Sequence, residues 1–232
     1  MSRTKVLPPP PEKPEASPPA NVAGEKPIVF EGLPGEPSLE ARVQIPDSAE
    51  RAVVLCHPHP LYGGTMHSAV VLAIAKVLAE KGVATLRFNY RGVGASEGTY
   101  AEGIGETLDA RAAIRDLRRR VPRAKLTMCG YSFGTWVGLR AAALEGGVER
   151  VCLIAPAVNI FEFIKDDARS FQGKIAIFVG DDDEFCDVSE AQALAKDLGA
   201  SLRVFEGADH LFMKSRRKLA EAVVPSIAPE AV

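Results

Sequence analysis

A serine hydroxyl becomes a useful nucleophile only when a neighbouring base takes its proton, and the base needs an acid to hold its tautomer. The chain carries residues of all three kinds. Ser132 lies in Gly130-Tyr131-Ser132-Phe133-Gly134, a G-x-S-x-G. Small residues around the serine let the chain turn tightly enough to project its oxygen. Of four histidines, His57, His59, His67 and His210, only His210 lies beyond the serine. Between them stand Asp181, Asp182, Asp183 and Glu184 in the run GDDDEFC. Nucleophile, acid and base in that order could transfer an acyl group to serine and then to water.

These residues need elements that hold them together. Apolar strand-like runs alternate with helical patterns from residue 28 onward. IVF and LEARVQI read as two antiparallel strands. Strands are then expected at 52–56, 83–89, 125–129, 150–155, 174–179 and 202–205. Helices are expected at 66–80, 104–120, 133–144, 189–198 and 211–224. Strands without polar alternation are buried on both faces, as in a parallel sheet flanked by helices. The pattern predicts an α/β architecture, with two antiparallel strands leading into about six parallel ones. In such sheets chemistry sits at the carboxyl ends of the strands. Ser132, the acid run and His210 each follow a predicted strand.

Residues 28–224 resemble the α/β-hydrolase superfamily, nearest to small bacterial members related to dienelactone hydrolase and serine-aminopeptidase-like proteins. CHPHPLYGGTMHS, NYRGVGASEG, GYSFG, GDDDEFC and GADHLF resemble that family's successive strand-end loops. The resemblance implies an α/β-hydrolase fold: a mostly parallel sheet of about eight strands, helices on both faces, and no separate cap domain. It also implies the acid. The Gly-x-x-Asp spacing from Gly180 selects Asp183, leaving Asp181 and Asp182 as solvated turn residues. Dienelactone hydrolases proper carry cysteine at the elbow. Here the residue is serine, and Cys129 falls on the preceding strand. An oxyanion hole would take the backbone N–H of Phe133 and one from the loop after the third strand. Pro58 and Pro60 cannot donate, so His59 is favoured and Leu61 is second.

The gap from residue 156 to 173 has room for one short helix, with Phe161, Phe163, Ile164 and Phe171 as pocket or packing residues. A site without a cap suits short acyl groups. The reading is a serine hydrolase, a carboxylesterase cleaving small esters or thioesters through an acyl-enzyme without a cofactor. The alternatives are an aminopeptidase or acyl-peptide hydrolase, and a non-catalytic binding protein of the same fold.

Composition narrows the partners. With 28 Lys+Arg against 30 Asp+Glu, the chain has no basic excess for nucleic acid. The basic clusters 118–125 and 214–218 read as exposed helix faces, and His67 as an exposed helix start. RGVGASEG is spaced GxGxxxG, which fits a support for the active-site floor better than a dinucleotide turn. His57 and His59 lack a third ligand, so no metal is expected. The longest apolar run, 69–75, is too short to span a bilayer. Cys56, Cys129, Cys152 and Cys186 form no CxxC pair and suit a reducing compartment, and the N-terminus lacks a signal-like stretch. The expected setting is cytoplasmic. Eight of 17 prolines fall within residues 1–27. Residues 1–26 therefore read as a disordered, dispensable tail before a domain at 27–232.

Overall fold

The computed structural model describes residues 9–10, 20–160 and 170–228. These form β1 (Lys26–Phe30), β2 (Leu39–Gln44), β3 (Arg51–Cys56), α1 (Ala69–Glu80), β4 (Ala84–Phe88), α2 (Ile104–Arg120), β5 (Lys125–Tyr131), α3 (Phe133–Glu145), β6 (Val148–Ile154), β7 (Lys174–Gly180), α4 (Val188–Leu198), β8 (Ser201–Phe205) and α5 (Arg216–Ile227). One sheet runs β1-β2-β4-β3-β5-β6-β7-β8. Strand β2 is antiparallel to both neighbours, and β4 through β8 join in parallel.

Each central strand feeds two cores. Ala52, Val54 and Cys56 of β3 pack with α2 and α3 on one face. Val53 and Leu55 pack with α1 and α5 on the other. Side chains alternate with period two, so burial on both faces requires the continuous apolar run seen in the sequence. The chain passes from β3 to β4 on one side and to β5 on the other. That reversal opens a crevice at the carboxyl ends of β3 and β5. No cap domain interrupts β6 and β7, whose connection is residues 155–173. Phe161, Phe163, Ile164 and the short helix expected there lie outside the described residues. Phe171 packs on the α2–α3 face. Among the described residues, no helix is long and apolar enough to cross a membrane.

Several boundaries differ from those expected. Helix α1 begins at Ala69 because Thr65–Ser68 is a turn, with Ser68 N–H donating to Thr65 O (2.9 Å) and Thr65 N–H to Ser68 Oγ (3.1 Å). His67 is therefore buried in that turn, not exposed. Helix α5 begins five residues late, since Phe212 adopts φ 48° and Ser215 N–H donates to Phe212 O. It also runs past Pro225, held by buried Val223 and Ile227.

The expected tail boundary at residue 26 also shifts. Residues 20–25 pack on the domain. Val22 is buried. Glu25 receives Arg87 Nε at 2.7 Å and Nη2 at 2.6 Å, with both side chains 0% exposed. Arg87 also donates to Met66 O and Ala20 O, each at 2.7 Å. The Ala20 N–H donates to His67 Nδ1 at 3.0 Å. A single valine and one glutamate among prolines carry no periodic signal, so this anchoring was not legible. Removing one partner of a buried pair strands the other charge. Glu25→Ala should cost about 3–5 kcal/mol in urea unfolding; a loss below about 1 kcal/mol would show that Arg87 has adequate partners without it.

Candidate active site

Strand β5 runs up to Tyr131 and α3 starts at Phe133, so Ser132 alone makes the turn. Its φ of 53° and ψ of −118° lie where side-chain-bearing residues rarely stay. The strain is offset by hydrogen bonds on both sides. Ser132 N–H donates to Ile154 O (2.9 Å), and Ser132 O receives Thr135 N–H (2.9 Å) and Oγ1 (2.5 Å). The two flanking glycines are needed for close approach. A Cβ on Gly130 would strike the Gly134 carbonyl, and one on Gly134 would come 2.5 Å from Cys56 O and 2.7 Å from His57 O.

The acid and base loops meet in the same way. A Cβ on Gly180 would strike the Ala208 carbonyl. Asp181 Oδ1 accepts Gly207 N–H (2.6 Å), and Asp182 N–H donates to Ala208 O (3.1 Å). The carboxylates of both residues are exposed, but that of Asp181 ties the loops together. Asp183 turns inward and is buried. Its two oxygens lie 3.0 and 2.9 Å from His210 Nδ1, and Oδ1 also accepts Phe185 N–H at 2.8 Å. His210 Nε2 lies 3.0 Å from Ser132 Oγ. Ser132, His210 and Asp183 thus form one hydrogen-bonded chain. The sequence did not reveal two residues that hold His210, one at its backbone and one at its ring. Tyr131 Oη donates to His210 O (3.1 Å), and the Phe185 ring meets the imidazole edge to face at 4.8 Å.

A cavity of about 360 Å³ opens over Ser132 and His210. Val70, Ala157, Ile160, Phe185 and Leu211 give it apolar walls, and the loop after β3 supplies Pro58, His59 and Tyr62. Phe133 also lines it. Leu61 N–H is engaged by His59 Nδ1 at 3.2 Å. The His59 ring therefore carries its proton on Nε2, which donates to Tyr100 Oη at 3.2 Å. Arg216 of the basic cluster also lines the cavity, so that cluster is not wholly an outward face.

The glycine-rich loop after β4 is tied to its neighbours by two polar side chains. Arg91 donates from Nε and Nη2 to buried Asp109 and from Nη2 to Glu36 (2.7 Å). Asn89 Oδ1 receives Met66 N–H and its Nδ2 donates to Glu40, each at 2.8 Å. All four cysteines are free and buried. A hydrogen bond to Cys152 and burial push the Cys129 thiol well up, which fits a packing residue.

Two family models match this chain: "Serine aminopeptidase, S33" over residues 47–162 and "Serine hydrolase" over 112–224. An uncharacterized protein of Rickettsia prowazekii is 32% identical over 208 residues, covering 84% of this chain and 86% of the relative. The chain belongs to the serine hydrolases of the α/β-hydrolase superfamily. The solved α-β serine hydrolase homologue from Coxiella burnetii superposes with a TM-score of 0.80 at 30% identity, covering 90% of this chain and all of that one. An α/β serine hydrolase without lid from Xanthomonas campestris gives 0.78 at 29% identity, covering 93% of this chain and all of that one.

In this serine hydrolase the loop histidines, buried His57 and half-buried His59, are held neutral. His57 donates from Nδ1 to Pro58 O (2.7 Å) and accepts Tyr90 N–H at Nε2 (3.1 Å). Burial pushes His57 down to about 3 and His59 down to about 4. Both lie below the unfolded value of about 6.5, so below that pH the unfolded chain binds more protons than the folded one. Stability should fall as pH drops from about 6.5 towards 4, and NMR titration should find both rings still neutral at pH 5.5. A folded His57 that protonates near 6.5 would contradict the hydrogen-bond assignment.

Proposed function

We propose that the protein is a carboxylesterase acting on small esters or thioesters through an acyl-enzyme. The observation that carries this reading is the chain from Ser132 Oγ through His210 to Asp183, with contacts of 3.0 and 2.9 Å. Ser132 attacks the carbonyl carbon while His210 Nε2 takes its proton. The tetrahedral intermediate collapses, and His210 returns that proton to the leaving alcohol or thiol. Water then attacks the acyl-serine by the same route in reverse, releasing the acid and restoring Ser132. Asp183 keeps the His210 proton on Nδ1 and stabilises the imidazolium. The N–H groups of Phe133 and His59 receive the oxyanion, Leu61 N–H being already engaged.

The cavity volume lies near the small end of the ~300–1,000 Å³ common for ligand pockets, which favours short acyl chains. Aminopeptidase chemistry, suggested by the name of one family model, would be helped by an acid facing the substrate's α-ammonium group. No Asp or Glu is among the described residues that line the cavity.

Steady-state kinetics on p-nitrophenyl esters tests the roles. Efficiency should rise to about butyryl or hexanoyl and then level, since each methylene gains ~0.8 kcal/mol only while it is buried. Ser132→Ala and His210→Ala should each lose ~10³-fold or more, and the double variant little beyond either. Asp183→Asn should be severe. Asp181→Asn should be mild, because an amide oxygen can still accept Gly207 N–H. Multiplicative losses in the double variant, or a reversed ranking of the aspartates, would reject these roles.

A further inference from the structure

Three cations, Arg216, Arg217 and Lys218, open helix α5, and no acid accompanies them in its first turn. A helix N-terminus is its positive end, so cations there are disfavoured. Arg217 is compensated by Glu221 at 2.9 Å and by Glu80 at 3.9 Å. Arg216 has no carboxylate partner among the described residues. Its Nε donates to Leu211 O at 3.3 Å, which ties it to the segment after His210. It is partly buried in the wall of the cavity that holds Ser132 and His210. No Asp or Glu joins it among the described residues of that wall, Asp183 being buried behind the imidazole. The same cavity is lined by Ser68, Ala69 and Val70 at the start of α1, where Ser68 makes no side-chain cap. Its uncapped N–H groups add partial positive charge.

A residue that opposes its own helix dipole and has no counter-charge among the described residues breaks a local rule, and such breaks collect at functional positions. We propose that Arg216 is a specificity-determining residue that binds a carboxylate on the substrate, so that the preferred esters are anionic. The inference rests on the esterase reading and adds to it the class of substrate. A guanidinium suits a carboxylate because its parallel N–H groups can meet both oxygens.

Two substrate pairs test this and report which side of the ester bears the charge. Monomethyl adipate against methyl hexanoate places the carboxylate on the acyl chain. 4-Acetoxybenzoate against phenyl acetate places it on the leaving group. The wild-type protein should favour the anionic member of at least one pair by about tenfold or more in kcat/KM, the size of one charge-assisted contact. The difference should lie mainly in KM. Arg216→Gln should bring that ratio close to one, and Arg216→Lys should keep part of it. A wild-type ratio of one or less in both pairs, or a ratio that survives Arg216→Gln, overturns the proposal. Equilibrium binding to Ser132→Ala separates this from failure of the esterase reading. Tighter binding of monomethyl adipate or 4-acetoxybenzoate than of its neutral partner, erased by adding Arg216→Gln, supports the anion site even if no ester is turned over. Equal binding in both pairs rejects it even if esters are hydrolysed.

Discussion

The site depends on backbones that approach more closely than any Cβ allows. Gly134 presses α3 against the Cys56 and His57 carbonyls at the end of β3, and Gly130 lets β5 turn under that helix. Gly180 admits the Ala208 carbonyl of the histidine loop. Together these contacts bring the ends of β3, β5, β7 and β8 into one crevice. They also hold Ser132 at a φ of 53°, a conformation that costs of order 1–3 kcal/mol and persists only where the surroundings impose it. Ala155 and Phe212, beside the same crevice, also have positive φ, at 46° and 48°. Of the described non-glycine residues with positive φ, three therefore stand beside the crevice, the fourth being Glu102 in the loop before α2.

Buried charge performs a second task, away from the reacting atoms. Arg87 lies on β4 and Arg91 just beyond it, and each is neutralised from a distant part of the chain. Arg87 binds Glu25 and the turn before α1, while Arg91 binds Asp109 of α2 and Glu36. Such pairs are weak sources of net stability but strongly disfavour arrangements that would leave one charge alone. They fix the register of the N-terminal segment, β2 and α2 around the loops that line the cavity. Tyr100 carries this order to the β3 loop through the His59 ring.

Much of this was legible because it is periodic or local. Helix α2 matches the expected 104–120 because an amphipathic pattern meets a stop at Pro122. The strands needed only their continuous apolar runs, and G-x-S-x-G marked the turn at Ser132. Choosing Asp183 among four adjacent acids needed the family spacing, since composition does not distinguish neighbours. In the structure Asp183 turns inward to His210, whereas Asp181 bridges to Gly207. Other features depend on contacts between residues far apart in sequence. Glu25 meets Arg87 across 62 positions and Tyr131 meets His210 across 79, and nothing local announces either. His67 was misplaced for the same reason, as its burial comes from Ala20 and Arg87.

The central claim is that Ser132 is a nucleophile activated by His210. Covalent capture tests it directly. The intact protein is incubated with a fluorophosphonate and weighed by mass spectrometry, and the modified peptide is then sequenced. A single adduct on Ser132, lost in Ser132→Ala and greatly slowed in His210→Ala, is the predicted result. A wild-type protein that stays unmodified, or an adduct on another residue, would contradict the account.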